Sequence, residues 1–247
     1  MSEKQRPRTI VLALDTTPER HTLETALNLA MLMQARLVGL FVEDMDLLRL
    51  ASLPFAREIV SFSAQLRPIA SETLEQALKS QALLLQRQLA REAEARQLEW
   101  GFSVVRDRLV SAVRSAAREA DLFIMQSPHL RQRGGATAKV GVVFDGTMTA
   151  IDTAAQLARG GALRVLLSKQ FDNRRSEITQ RITRYGAHPV FITLRDTGIP
   201  TISEVTRHQH LSMLLLPDAL ATGEDVALHP LLESTPCTVV VKDHSTH

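Results

Sequence analysis

The chain writes one phrase twice. Near its start, Thr9-Ile10-Val11-Leu12-Ala13-Leu14 runs into Asp15-Thr16-Thr17 and then an Ala/Leu-rich stretch. In the middle, Val140-Gly141-Val142-Val143-Phe144 runs into Asp145-Gly146-Thr147 and another such stretch. A short, apolar, partly β-branched run predicts a strand buried on both faces, and three-to-four spacing of apolar residues predicts a helix behind it. The order of elements after each copy agrees: strand, acid-hydroxyl turn, helix, strand, helix, a strand ending in Arg-Asp (Arg106-Asp107 and Arg195-Asp196), helix, strand. Self-similarity of this kind points to two diverged copies of one α/β unit. Strands that alternate with helices require right-handed crossovers and a mainly parallel, open, Rossmann-like sheet with flanking helices. Such sheets bind ligands outside the carboxyl ends of their strands, where both acid-hydroxyl turns fall.

Length fits that duplication. The 247 residues leave each unit about 120–140 residues, enough for a core of its own. The predicted boundary separates residues 1–136 from 137–247. A hydrophobic fraction of 45% and a charged fraction of 23% place the chain among globular proteins rather than disordered or fibrous ones. Aromatic residues make up only 4%, so the cores must be aliphatic. A formal charge of +2 gives no electrostatic ground for nucleic acid binding, and no aromatics interleave with the local arginines as a single strand would require. The single cysteine, Cys237, has no intrachain partner, which is consistent with a reducing, cytoplasmic setting. Met1-Ser2-Glu3-Lys4-Gln5-Arg6 is polar and lacks the apolar segment of a secretory signal. The longest apolar stretch is interrupted by Arg36, short of the about 18–20 residues that cross a bilayer, so no membrane association is expected.

The first copy reads as strand 9–14, a helix opened by Pro18 and running to about 34, strand 37–42 ending at Glu43-Asp44, a helix over about 69–97, strand 100–105, helix 108–119 and strand 122–126. Between the second strand and the long helix, residues 45–66 hold a mixed apolar insertion whose structure the pattern does not define. At about 40 Å the long helix exceeds what one small sheet covers, so part of it is expected to project or to meet a partner. The second copy reads as strand 140–144, helix 148–159, strand 163–168, helix 174–185, strand 189–194, helix 201–208, strand 211–216, helix 226–233 and strand 237–241. Gly160-Gly161, Gly186 and Pro217 are the stop signals. The last helix and strand have no counterpart in the first copy.

Taken together, these pieces resemble the universal stress protein family, and its tandem two-domain members in particular. The resemblance rests on Val11-Leu12-Ala13-Leu14-Asp15-Thr16 and Val142-Val143-Phe144-Asp145-Gly146-Thr147, on Leu37 to Val42 with acids behind it, on Ala120-Asp121-Leu122-Phe123-Ile124-Met125, and on Thr235-Pro236-Cys237-Thr238-Val239-Val240-Val241. It covers most of the chain, and the order of the pieces carries it more than any one of them. In nucleotide-binding members, the first-strand Asp and the end of the second strand hold adenine. A Gly-x-x-Gly loop after the fourth strand, with Gly-Ser/Thr about ten residues on, cradles phosphate through backbone N–H groups. The resemblance therefore implies an ATP site in the first copy at Asp15, Thr16, Val42, Ser127, Arg131, Gly134 and Gly135.

The phosphate loop departs from that pattern. The first copy has Ser127-Pro128-His129-Leu130 and a late Gly134-Gly135, with Arg131 and Arg133 able to supply charge that the loop backbone does not. The second has Asp218, Glu224 and Asp225, which would repel a triphosphate, and there Asp145 is read as capping a turn or the following helix. No histidine pair has metal-ligand spacing on a common helix, Ser127 lacks a Gly-x-Ser-x-Gly elbow, and neither a Walker loop nor a dinucleotide turn is present. The expected function is a non-enzymatic stress-response protein that senses a ligand or contacts other proteins. The alternative is a slow ATPase using the first-copy crevice, and a nucleic-acid accessory is the weakest reading. The closing strand 237–241 is expected to be an exposed edge that joins two chains in a homodimer. Helix 69–97 is the alternative contact.

Overall fold

The computed structural model describes residues 8–14, 20–53, 55, 57–60, 65–68, 71–125, 139–217 and 237–242. The first half contains β1 (Thr9–Leu14), α1 (Arg20–Met33), β2 (Arg36–Asp44), α2 (Met45–Ala51), β3 (Arg57–Val60), β4 (Gln65–Pro68), α3 (Ser71–Glu94), β5 (Trp100–Asp107), α4 (Leu109–Glu119) and β6 (Leu122–Met125). The second contains β7 (Val140–Phe144), α5 (Thr149–Leu157), β8 (Ala162–Ser168), a 3-10 turn (Lys169–Arg174), α6 (Arg175–Thr183), β9 (His188–Leu194), α7 (Ile199–His208), β10 (Met213–Pro217) and β11 (Thr238–Lys242). The insertion after β2 thus resolves into α2 and an antiparallel β3–β4 hairpin. The predicted helix 226–233 lies outside the described residues.

Nine strands form one open sheet in the order β5-β2-β1-β6-β11-β10-β7-β8-β9. Each half contributes parallel pairs, β2 beside β1 beside β6 in the first and β8 beside β7 beside β10 in the second. The halves meet where β11, parallel to β10, pairs antiparallel with β6 in the register Val239↔Met125 and Val240↔Ile124. The two strand sets expected from the sequence are therefore continuous, and the first half's sheet does not stop at its fourth strand. The strand expected to be an exposed edge is an interior strand with both hydrogen-bonding edges occupied. Residues 237–241 are thus not available to join two chains by strand pairing. The sheet's edges are β5 and β9 instead.

Burial explains why these strands are apolar throughout: helices cover both faces. Leu23, Ala26, Leu27 and Ala30 of α1, Leu78, Leu85 and Leu89 of α3, Ala154 of α5 and Ile178 and Ile182 of α6 join Ile10, Leu12, Ile124, Val142 and Val240 in one core layer. Val113 and Ala117 of α4 and Ile202 of α7 join Val11, Phe123, Val143 and Val239 in the other. Successive strand residues alternate between the layers, as a two-residue side-chain period demands. Helix α3 is 24 residues long, about 36 Å. It buries one stripe and leaves Leu83 and Leu84 exposed at 53% and 58%. No helix among the described residues is long and apolar enough to cross a membrane.

Several helices end without glycine. Gln34, Gln97 and His210 adopt φ of 50°, 54° and 51° just past α1, α3 and α7, and the following amides donate back, Leu98 N to Ala93 O at 3.0 Å and Leu211 N to Thr206 O at 3.1 Å. That is the left-handed helix-ending geometry that glycine adopts without a Cβ penalty. Among the described residues glycine takes the role at Gly160 and Gly186, with φ of 77° and 75°.

Candidate functional site

Each half has a point where the strand order reverses: β1 lies between β2 and β6, and β7 between β8 and β10. Crevices outside the carboxyl ends of such strands are where open α/β sheets take ligands. In the first half, Asp15, Thr16, Ser127, Arg131, Gly134 and Gly135 lie outside the described residues. Val42 is described, half-buried near the end of β2 one residue beyond the Leu14↔Phe41 pairing, and it packs on the α4-side core layer.

The carboxylates around Val42 are already engaged. Glu43 is buried, and its Oε2 accepts a hydrogen bond from Arg106 Nε at 2.9 Å. Arg106 also donates to Glu75 Oε1 at 3.4 Å. The Glu43 hydrogen bond, reinforced by the charges of Glu43 and Glu75, holds the Arg106 guanidinium above its ordinary pKa. Asp44 caps α2 by accepting from Asp46 N at 2.9 Å, and Asp107 accepts from Arg108 N at 2.7 Å at the start of α4. The second Arg-Asp does related work. Asp196 Oδ1 accepts from Gly198 N at 2.8 Å and from Thr201 Oγ1 at 2.9 Å, fixing the entry to α7. In both copies the aspartate of the Arg-Asp phrase thus accepts a backbone amide in the turn that leads into the next helix.

The second crevice is described further. Asp145 Oδ1 accepts from Thr147 N at 3.0 Å and from Thr147 Oγ1 at 2.8 Å, closing the acid-hydroxyl turn on itself. Gly146 turns there with φ of 108°, and a Cβ at that position would stand 3.3 Å from the Phe171 ring. Phe171, from the 3-10 turn after β8, packs edge-on against Phe144 with ring centroids 5.1 Å apart and planes at 76°. Such an edge-to-face pair adds to the burial of both rings. Arg174 places its guanidinium 5.9 Å from the Phe144 centroid and is ion-paired with Glu177. Side chains of the chain itself therefore pack over the carboxyl end of β7 on its β8 side. Asp218, Glu224 and Asp225 lie outside the described residues.

The structure thus places Asp145 in a turn-capping role and Val42 at a strand end. Phe171 and Arg174 were missed by sequence reasoning. Their signal was an isolated phenylalanine inside the polar run Lys169-Gln170-Phe171-Asp172-Asn173-Arg174, in a chain where aromatics are scarce. Cys237 is fully buried, and burial pushes its thiol up to about 12, leaving it a small hydrophobe in the core.

No protein-family model and no curated protein matches the chain. Among solved structures it is similar to a universal stress protein from Archaeoglobus fulgidus DSM 4304, at 10% identity and a TM-score of 0.56, covering 95% of this chain and 96% of that one. A functionally unknown protein from Pseudomonas aeruginosa PAO1 aligns at 14% identity and a TM-score of 0.48, over 97% of this chain and 93% of that one. A member of the universal stress protein family from Burkholderia pseudomallei aligns at 15% identity and a TM-score of 0.32, over 74% of this chain and 94% of that one. Of the three, only the first superposes closely enough to bear on the fold.

Proposed function

We propose that this chain, which has the fold of a universal stress protein, is a tandem member of that family. In this reading it acts in the stress response without catalysis, through ligand sensing or protein contacts. Its domains are residues 1–136 and 137–247, and its compartment is the cytoplasm. The observation that carries the reading is the second crevice, where Asp145 is spent on Thr147 and Phe171 packs over Gly146. A half whose β7 end is filled on the β8 side by its own side chains is, in this reading, a structural partner for the other half rather than a second nucleotide site. Native mass spectrometry of the freshly purified protein tests this, because it reads co-purified nucleotide and oligomeric state together. Two nucleotides per chain would overturn it.

A second reading, slow ATP hydrolysis in the first-half crevice, is favoured by one observation. Glu43 and Asp44, which flank that crevice, are tied to Arg106 and to the α2 N-terminus, so less uncompensated negative charge meets a phosphate chain. This reading uses Asp15, Thr16, Val42, Ser127, Arg131, Gly134 and Gly135. Release of inorganic phosphate from ATP by the full chain, lost in Asp15→Ala, separates it from the first.

The homodimer remains part of the proposal with its contact moved to α3, whose Leu83 and Leu84 face solvent. Light scattering on wild type and on Leu84→Glu decides. A monomeric wild type removes the dimer, and a dimer unchanged in the variant moves the contact elsewhere.

A further inference from the structure

A cleft of about 580 Å³ opens at the amino ends of β8 and β9, the opposite pole of the second half from Phe171. It spans the two halves: Leu32 of α1 forms one wall, and Gln156, Arg159, Arg184 and Tyr185, at the carboxyl ends of α5 and α6, form the others. Its frame is fixed. Gly160 and Gly186 end their helices in left-handed turns, and Gly160 N donates to Gly186 O at 3.1 Å, locking one turn to the other.

Charge in the cleft is uncompensated. Residues 149–187 contain three acids, Asp152, Asp172 and Glu177. These are paired with Arg181, Arg175 and Arg174 respectively. Neither Arg159 nor Arg184 has an acidic partner among the described residues. Two helix carboxyl ends contribute about half a negative charge each, so two full guanidinium charges leave the cleft net positive. Beside them stand apolar surfaces, Leu32 at 45% exposure and the half-buried ring of Tyr185.

We propose that this cleft is a binding site for a small amphipathic anion, its phosphate- or carboxylate-type head held by Arg159 and Arg184 and its flat or aliphatic body laid between Leu32 and Tyr185. Arginine suits such a head because its planar fork donates two hydrogen bonds at once. The site is separate from both strand-end crevices, so it stands whether or not nucleotide binds there.

Phenyl phosphate is the probe, titrated into the ¹⁵N-labelled full chain. Saturable shifts are expected at the Gly160 and Gly186 amides. Arg159→Ala with Arg184→Ala should weaken binding at least tenfold, whereas Lys79→Ala with Arg87→Ala, which removes equal charge from α3, should leave it within twofold. Leu32→Ser should weaken phenyl phosphate but not inorganic phosphate. All five side chains are exposed, so these substitutions keep the fold. Absence of saturable shifts at the two glycines, equal weakening by the α3 pair, or equal affinity for inorganic phosphate would each overturn the proposal.

Discussion

Val240 in the last strand stands opposite Ile124 in the fourth strand of the first half, in antiparallel register. That pairing turns two strand sets into one sheet and gives the first half the neighbour that its own segment does not provide. Both residues are fully buried. The sheet therefore continues through the seam that a sequence reading places between two domains.

The seam yields a test by charge. Val240→Lys would bury an ammonium in the layer it shares with Ile124 and Leu215, at a cost of several kcal/mol. The expected outcome is loss of cooperative unfolding or a large drop in Tm by calorimetry, not a soluble monomer of native stability. A fragment of residues 137–247 should self-associate, because its β11 would present an open edge; a monodisperse monomeric fragment in light scattering would contradict the pairing.

Phe171→Ala should destabilise the protein by about 1–3 kcal/mol in denaturant unfolding, since it removes a half-buried ring and its edge-on partner. Gly146→Ala should cost a similar amount, about 1–3 kcal/mol, because a positive-φ position strains any L side chain and the added Cβ meets Phe171. In the double variant the steric part of the Gly146→Ala cost should shrink and the backbone part remain.

Nucleotide affinity, measured by calorimetric titration of the full chain with ATP and magnesium, should depend on the first half. Asp15→Ala and Arg131→Ala are each expected to weaken it by about 1–3 kcal/mol through lost charge-assisted hydrogen bonds. Unchanged affinity in both places the ligand elsewhere.

Cys237 supplies a pH signature. Its folded pKa is raised by burial to about 12, against about 8.5 in an unfolded chain. The stability it contributes is therefore fully present below about 8.5 and lost as pH rises through the interval toward about 12. Denaturant midpoints at pH 8 and pH 10.5 should fall more in wild type than in Cys237→Ala. In the native state at pH 8 the thiol should resist Ellman's reagent.

Gln97→Gly should stabilise the chain by about 0.5–1 kcal/mol, the left-handed cost of a Cβ less the chain entropy of glycine. A small rise in the denaturant midpoint checks this. A fall would mean that the Gln97 side chain contributes more than its backbone costs.

Local pattern carried most of the secondary structure. Continuous apolar runs such as Leu12-Ala13-Leu14 and Leu214-Leu215-Leu216 mark strands covered on both faces, and the spacing of Leu78, Ala82, Leu85 and Leu89 marks the buried stripe of α3. Asp145 was legible too, because a short acid before Gly-Thr satisfies amides within its own turn. The insertion at 45–66 was not, since its apolar residues follow neither period.

What the sequence determined by itself was which segments bury both faces, where the helices lie between them, and hence an open, mainly parallel sheet. Tertiary structure alone decided that β11 lies between β10 and β6 and that Phe171 closes over Gly146. The reason is physical: backbone edges are chemically alike, so a strand's partner is set by which edge the rest of the fold leaves open. The packing of one ring on another joins residues 27 positions apart, Phe144 and Phe171, through a turn whose course no local periodicity specifies.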